Sequence, residues 1–204
     1  MPRLMAAVYD RFMERSERAG LGAWRGELLA ELGGRVLELG AGTGVNLAHY
    51  PAELERLILT EPDPHMLRRL VARARDLRPD TEVVGAGAER LPYPDESFDA
   101  IVTTLVLCTV GDPDAALSEA ARLLRPGGRL LFVEHVASPD PSARRWQGRI
   151  EPVWRHVAGG CRLTRDPRQR MRELGFRLER CEEDRLPRSP FFVRPAIRGV
   201  ALKP

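Results

Sequence analysis

Hydrophobic residues fall into short apolar runs that alternate with segments of helical spacing. Five runs predict strands, at 35–39, 57–60, 82–84, 98–105 and 129–136. Between them, 65–77 and 114–124 place their apolar residues on one side of a helix. Strands that alternate with helices predict a parallel sheet covered by helices on both faces.

The two ends of the chain depart from this alternation. Residues 176–182 and 197–202 have strand patterns joined by a proline-rich link, which predicts an antiparallel hairpin at the sheet edge. Residues 3–32 predict a helical segment interrupted near Gly20 and Gly22, which caps one side of the sheet.

The connection from 137 to 166 is long for a link between a strand and the next helix. Apolar residues recur in it at helical spacing: Trp146, Ile150, Val153, Trp154 and Val157. Two interpretations stay open, a helix packed on the core and a lid that lines an acceptor pocket. Long connections at the carboxyl ends of strands often carry function.

Composition narrows the class of protein. The chain has 204 residues, 43% hydrophobic and 30% charged, which predicts one globular domain. No apolar run approaches the roughly 20 residues that span a bilayer, and Met1 to Glu14 lacks the apolar block of a signal peptide. We therefore expect a cytoplasmic protein, with peripheral membrane contact and oligomeric state left open.

Charge and cysteine content argue against two kinds of site. The net charge is +3, but arginines are interspersed with acidic residues, which does not favour a nucleic-acid groove. The cysteines, Cys108, Cys161 and Cys181, are odd in number, widely spaced and without a C-x-x-C pair. This spacing predicts neither a disulfide framework nor a metal site.

A glycine-rich turn follows the first predicted strand. Gly40, Gly42 and Gly44 let the backbone turn tightly and approach a ligand at the start of a helix. A dinucleotide fingerprint requires glycine where this chain has Val45, which argues against a nicotinamide-dependent oxidoreductase. The acid before the turn, Glu38, is suited to help hold an ammonium group, as found in S-adenosylmethionine.

Other candidate cofactor residues lie at the ends of the next strands. Glu61 ends the second strand, where a carboxylate can accept hydrogen bonds from both ribose hydroxyls. Met66 lies where it can contact adenine or pack in the core. The remaining candidates are Pro62, Gly87, Ala88, Glu89, Thr104 and Leu105.

These motifs, with the pairs 98–99 and the run 124–128, resemble class I methyltransferases. The resemblance covers 35–136 and implies S-adenosylmethionine as cofactor. It also implies a Rossmann-like, seven-stranded, mostly parallel sheet with an antiparallel C-terminal hairpin. We expect one domain, composed of a helical cap (1–32), a cofactor-binding core (33–136), an acceptor lid (137–166), and a C-terminal helix and hairpin (167–204).

A narrower resemblance extends along most of the chain. The segments 61–65, 105–108, 134–136, 151–156 and 160–165 resemble methyltransferase-like proteins that methylate small alkyl thiols in animals. That family usually has aspartate at the position of Glu61, and its animal members carry an N-terminal membrane segment that this sequence lacks. The resemblance implies a small-molecule acceptor, with sulfur as the methylated atom.

Thiol methylation needs little acid–base help, because a thiol with a pKa near 8.5 ionises easily. His135, at the end of the fifth strand, is the candidate base, although a structural role is an equal alternative. Cys161 and His156 are weaker candidates, and Cys108 is expected to pack as a small hydrophobic residue. The alternative acceptors are an amine or hydroxyl of a lipid head group, a quinone or another small metabolite.

Overall fold

The computed structural model describes residues 13–203. Seven strands form one sheet: β1 (Arg35–Leu39), β2 (Arg56–Thr60), β3 (Glu82–Val84), β4 (Phe98–Thr104), β5 (Leu124–His135), β6 (Arg177–Arg185) and β7 (Pro195–Leu202). Their order is β3-β2-β1-β4-β5-β7-β6. Strands β1 to β5 are parallel, while β7 runs antiparallel to both β5 and β6. The predicted sheet and its C-terminal hairpin are confirmed.

The sheet is buried on both faces, as parallel sheets usually are. Alternate residues of β1 and β5 belong to different core clusters: Leu37 and Phe132 pack on one face, Val36 and Leu131 on the other. Strand β6 carries charged residues along the outer edge of the sheet, where charge protects against pairing with another chain.

Within residues 13–203, five α-helices with both ends described accompany the sheet: α1 (Gly22–Leu29), α2 (Pro64–Leu77), α3 (Pro113–Leu123), α4 (Pro141–Val157) and α5 (Pro167–Glu173). The last four each begin with proline after an aspartate whose side chain accepts backbone N–H groups of the first turn. Aspartate caps the free N–H groups, and the fixed φ of proline suits the first helical position. This repeated Asp-Pro signal defines where the helices start.

Several predicted boundaries need correction. The glycine turn opens a short 3₁₀-helix, Val45–Ala48, rather than a full α-helix. Leu105 lies beyond β4 with a positive φ of 59°. Strand β5 begins at Leu124 because Phe98 pairs with Leu124 before a bulge, after which the ladder resumes at Ala100 and Arg129.

The N-terminal segment is kinked as predicted. Its described part contains a π-helical turn, Glu17–Leu21, in which Gly20 has a φ of 137°. Gly22 is helical and starts α1. Residues 1–12 of the predicted helical cap lie outside the described part of the chain. Within residues 13–203, no helix is long and apolar enough to cross a membrane.

Candidate active site

The glycine turn brings the backbone close to its neighbours in conformations that other residues rarely adopt. Gly40, Gly42 and Gly44 have φ values of 61°, 60° and 81°. A Cβ on Gly40 would approach Val106 to 2.9 Å, whereas one on Gly42 would meet no heavy atom within 4 Å. Gly40 therefore serves packing, and the turn at Gly42 is open enough for a ligand to approach the backbone.

Glu61 is fixed directly beside this turn. Gly42 N–H donates to its Oε2 at 2.8 Å, and Asp63 N–H donates to its Oε1 at 2.9 Å. The residue is 7% exposed. Burial raises the pKa of Glu61, and the two backbone donors oppose that shift. Its orientation is set before any ligand binds, while each oxygen keeps a lone pair for a hydroxyl group.

Glu38 instead stabilises the turn from within the protein. Its carboxylate accepts hydrogen bonds from Asn46 Nδ2 at 2.8 Å and from the Tyr50 hydroxyl at 2.7 Å. Arg25 donates to the other end of Asn46 at 2.8 Å. Burial raises the pKa of Glu38, and these donors lower it. The network holds the 3₁₀-helix against β1.

A cavity of about 1530 Å³ opens beside Glu61 at the carboxyl ends of the parallel strands. Its volume exceeds the usual range for a single small-molecule site. Most predicted site residues line it: Gly40, Gly42, Glu61, Pro62, Met66, Gly87, Ala88, Glu89, Thr104, Leu105 and His135. Two predicted residues, Glu38 and Gly44, do not belong to the described cavity wall. Residues 13–16 and Leu21 close it from the N-terminal side.

The chain after β4 is held by a buried acid. Glu134 accepts hydrogen bonds from Val106 N–H and Leu107 N–H, both at 3.1 Å. It is fully buried, and burial raises its pKa to about 7. Arg165 donates to the Leu107 and Val110 carbonyls at 2.9 and 2.6 Å. These contacts set the position of the loop that carries Cys108.

Helix α4 lies over the far side of the cavity. Gln147 is its fully buried residue, and the amide binds Ser138 N–H at 2.7 Å and the Phe192 carbonyl at 3.0 Å. Trp154 and Val157 line the cavity, and Val157 is 50% exposed, much as Trp146 and Val153 are at 52% and 69%. Part of the apolar side packs on the protein, since Ile150 and Trp154 contact the buried Cys108, Cys161 and Leu163, while the end of the helix reaches the cavity. Whether it opens and closes as a lid stays a prediction.

The fold brings two cysteines and a histidine together on this side. Cys108 follows β4, His135 ends β5, and Cys161 follows α4; one ligand-capable atom of each lies within 4.8 Å of the others. All three line the cavity and are buried, at 3%, 1% and 8% exposure. Neither ring nitrogen of His135 has a hydrogen-bond partner within residues 13–203.

Ionisation of the two cysteines is coupled. The Cys108 thiol donates to the Leu105 carbonyl at 3.5 Å. The neighbouring Cys108, with His135 and Trp154, lowers the pKa of Cys161 to about 5. The neighbouring Cys161 and burial raise the pKa of Cys108, so Cys161 is the more acidic of the two thiols. The expectation that Cys108 packs as a hydrophobic residue describes only its apolar contacts with Leu163 and Leu105.

Sequence reasoning treated these residues one at a time and missed their convergence. They come from three separate parts of the chain, and spacing rules for metal or redox motifs detect only ligands that are close along the chain. The available signal was topological, because His135 and the loop after β4 follow neighbouring strands, whose carboxyl ends meet at one sheet edge. Cys161 carries no comparable signal. His156 lies elsewhere, exposed, with Nδ1 at 2.7 Å from the Pro152 carbonyl.

Comparisons with known proteins agree with this geometry. The methyltransferase-domain family matches residues 37–132. Thiol S-methyltransferase TMT1B of Homo sapiens is 38% identical, over 99% of this chain and 85% of the relative. A phosphatidylethanolamine N-methyltransferase of Cereibacter sphaeroides is 35% identical, over 67% of this chain and 70% of the relative.

A solved S-adenosylmethionine-dependent methyltransferase from Thermotoga maritima has the same fold. It superposes with a TM-score of 0.70 at 23% identity, covering 99% of this chain and 97% of that one. Sequence similarity over nearly the whole length carries the assignment further than fold alone. The chain belongs to the class I S-adenosylmethionine-dependent methyltransferases, in the family that includes the thiol S-methyltransferases.

Proposed function

We propose that this enzyme methylates the sulfur of a small alkyl thiol. The observation that carries the proposal is a single cavity with two chemically different sides. One side presents Gly42 and the buried carboxylate of Glu61, and the other presents Cys108, His135 and Cys161. The similarity to TMT1B, named as a thiol S-methyltransferase, supports sulfur as the acceptor atom.

The residues on the first side fit S-adenosylmethionine. Glu61 is the group that would hold the ribose hydroxyls, since both its oxygens are oriented by backbone donors beside the turn. Because no atom lies close to Gly42 on its open side, the ligand could approach the backbone there. Met66, Ala88 and Glu89 would form the wall that contacts adenine. When bound, S-adenosylmethionine supplies a methyl group on a positively charged sulfur, which an acceptor can displace in line.

The residues on the second side would position the acceptor and favour its ionised form. Trp154, Val157 and Leu105 provide apolar surface for an alkyl group. His135, buried with no partner for either ring nitrogen in the described part of the chain, is placed to stabilise the acceptor thiolate. Binding the acceptor in line with the methyl group accelerates the reaction, because the two reactants no longer have to find that orientation by diffusion.

A panel of single acceptors tests this proposal. Purified enzyme with labelled S-adenosylmethionine is given alkyl thiols, amines or phenols, and the products are identified by mass. We expect methyl thioethers, formed faster as pH rises toward the thiol pKa. Products confined to amines, phenols or quinones, with no S-methyl product, would remove the thiol acceptor and leave the methyltransferase assignment intact. Location stays a prediction that fractionation of the native host must test.

A further inference from the structure

The cluster of Cys108, His135 and Cys161 has the composition of a metal site. The loop after β4, the end of β5 and the loop after α4 each contribute one ligand-capable atom, and these atoms lie within 4.8 Å of one another. A tetrahedral zinc ion separates its sulfur and nitrogen ligands by about 3.5–3.8 Å. Because these atoms are at most 4.8 Å apart, small side-chain rotations would reach that separation.

The surroundings of His135 supply a second, independent observation. Its side chain is 1% exposed and lines the cavity, yet neither ring nitrogen has a hydrogen-bond partner within residues 13–203. A buried polar group without a partner is costly, and ordinary folds avoid it. A metal ion held with the two cysteine sulfurs would provide that partner.

The ligand set selects the kind of ion. Two thiolates and one imidazole suit zinc, whereas magnesium and calcium prefer oxygen ligands. Two thiolates also cancel the charge of a divalent ion, so the complex with the three protein ligands is neutral before the acceptor binds. Neutrality matters here because Leu163, Ile150 and Trp154 make the environment of the cysteines apolar.

We propose that Cys108, His135 and Cys161 bind a zinc ion whose fourth position faces the cavity and receives the acceptor thiol. Three protein ligands with one exchangeable position are the pattern of catalytic zinc, whereas structural zinc is closed by four protein ligands. All three residues line the same cavity as Glu61, which places the fourth position on the side of the substrates.

The consequence for catalysis rests on the proposed thiol methylation. The acceptor R–SH binds the ion as R–S⁻, and its proton leaves to water. A lone pair of that sulfur forms the new bond to the methyl carbon. The bond from this carbon to the positively charged sulfur breaks, and its electron pair stays on the departing thioether. The neutral methyl thioether is a weaker ligand than a thiolate, so it leaves the ion for the next acceptor.

Metal binding can be measured without activity. Reduced full-length protein is stripped with a chelator and titrated with Zn²⁺ or Co²⁺ alone. We expect one equivalent of Zn²⁺ per chain, and with Co²⁺ the thiolate charge-transfer and tetrahedral d–d absorption bands. Zn²⁺ binding should weaken by at least about 100-fold in each of three variants, Cys108→Ser, Cys161→Ser and His135→Gln. Loss of a residue that only supports a metal ligand typically weakens binding by less than this.

Two matched variants serve as controls. Cys181→Ser removes the half-buried cysteine of β6, and His156→Gln removes the exposed histidine of α4. Both should bind one equivalent with unchanged spectra. Circular dichroism of every variant separates loss of the site from loss of the fold, and the three single substitutions test the same site independently.

The outcomes separate this inference from the proposed function. Absence of tetrahedral cobalt bands in the folded wild type, or equal binding by the Cys181→Ser and Cys161→Ser proteins, overturns the metal site. So does a Cys108–Cys161 disulfide, seen by mass after alkylation, that persists in protein purified without oxidant. Thiol methylation by metal-free enzyme at the full rate rejects zinc but keeps the function. Stoichiometric zinc binding without any S-methyl product keeps the site and rejects the acceptor.

Discussion

The two sides of the cavity differ in how the protein satisfies their buried polar groups. On the cofactor side, the carboxylate of Glu61 has two hydrogen-bond donors from the protein, and so does the carboxylate of Glu38 behind the cavity wall. On the acceptor side, the ring nitrogens of His135 and the indole nitrogen of Trp154 are buried with no partner in the described part of the chain. An unpaired buried group costs about 1–3 kcal/mol. The fold therefore preorganises the polar groups of the cofactor side, whereas those of the acceptor side obtain partners only from what binds there.

The largest effect should come from the acceptor side. We expect His135→Ala to lower the turnover of an alkyl thiol at neutral pH by about 10²–10⁴-fold, because the histidine favours formation of the reacting thiolate and assistance with ionisation contributes in this range. His156→Ala, an exposed histidine, should change turnover little. Turnover is measured as methyl thioether formed at saturating substrates. A loss that is the same at neutral and alkaline pH would assign His135 a structural role, because a variant that lacks only help with ionisation recovers when solvent supplies the thiolate.

The next largest effect should come from Glu61. Glu61→Ala removes up to two charge-assisted hydrogen bonds to the ribose, each worth roughly 1.5–3 kcal/mol before desolvation is subtracted. We expect S-adenosylmethionine affinity, measured by calorimetry, to fall at least about tenfold. Glu53→Ala removes the same charge from the exposed surface and is the control. A change below about threefold, roughly 0.6 kcal/mol, would mean that Glu61 does not hold the cofactor.

A smaller effect is expected from substitution of Gly42, and a second glycine shows how much of it comes from backbone strain alone. Gly42 and Gly127 both have positive φ, and a Cβ on either would meet no heavy atom within 4 Å. Each change to alanine should therefore lower the free energy of unfolding by a similar amount, about 1–2 kcal/mol. Only Gly42→Ala should weaken S-adenosylmethionine binding, by roughly fivefold or more. Equal affinities of the two variants would show that the turn at Gly42 does not contact the ligand.

The smallest effect concerns Glu38, which lies behind the turn. Its pKa is raised from 4.5 by burial, so the unfolded chain releases this proton at lower pH than the folded one. The stabilising contribution is complete below pH 4.5 and is lost as pH rises through the folded pKa. The free energy of unfolding of wild type, relative to Glu38→Gln, should therefore fall as pH rises above 4.5. Urea titrations measure it, and a difference that stays constant with pH contradicts the expected shift.

Sequence reasoning worked best where a feature is local. The strands and helices follow from apolar spacing, and the turn at Gly40, Gly42 and Gly44 with Glu61 places one side of the site. It reaches less far where roles depend on packing. Glu38 was predicted to help hold the ammonium group of the cofactor; Asn46 and Tyr50 each donate to one of its oxygens, and its part in cofactor binding stays a prediction. The cysteine–histidine cluster depends on three distant connections, which no local pattern reports.

Helix α4 also shows that a sequence pattern can predict an element without predicting which of its residues are buried. Its apolar spacing correctly predicted a helix, but spacing alone cannot say what covers its apolar side. Gln147, a polar residue, is buried because three hydrogen bonds tie it to the chain after β5 and to Phe192. Trp146 and Val153 are exposed. Burial here follows the hydrogen bonds and the position of the cavity more than the hydrophobicity of each residue.

The central claim is that the two sides of one cavity serve two different substrates. The most direct test is a matrix of initial rates in which S-adenosylmethionine and an alkyl thiol are varied together, for wild type, Glu61→Ala and Cys161→Ser. We predict that Glu61→Ala raises the KM of S-adenosylmethionine and leaves that of the thiol. Cys161→Ser should lower kcat/KM for the thiol and leave S-adenosylmethionine affinity unchanged. The proposal is contradicted if both variants change the kinetic constants of the same substrate. It is also contradicted if Glu61→Ala leaves those of S-adenosylmethionine unchanged and Cys161→Ser leaves those of the thiol unchanged.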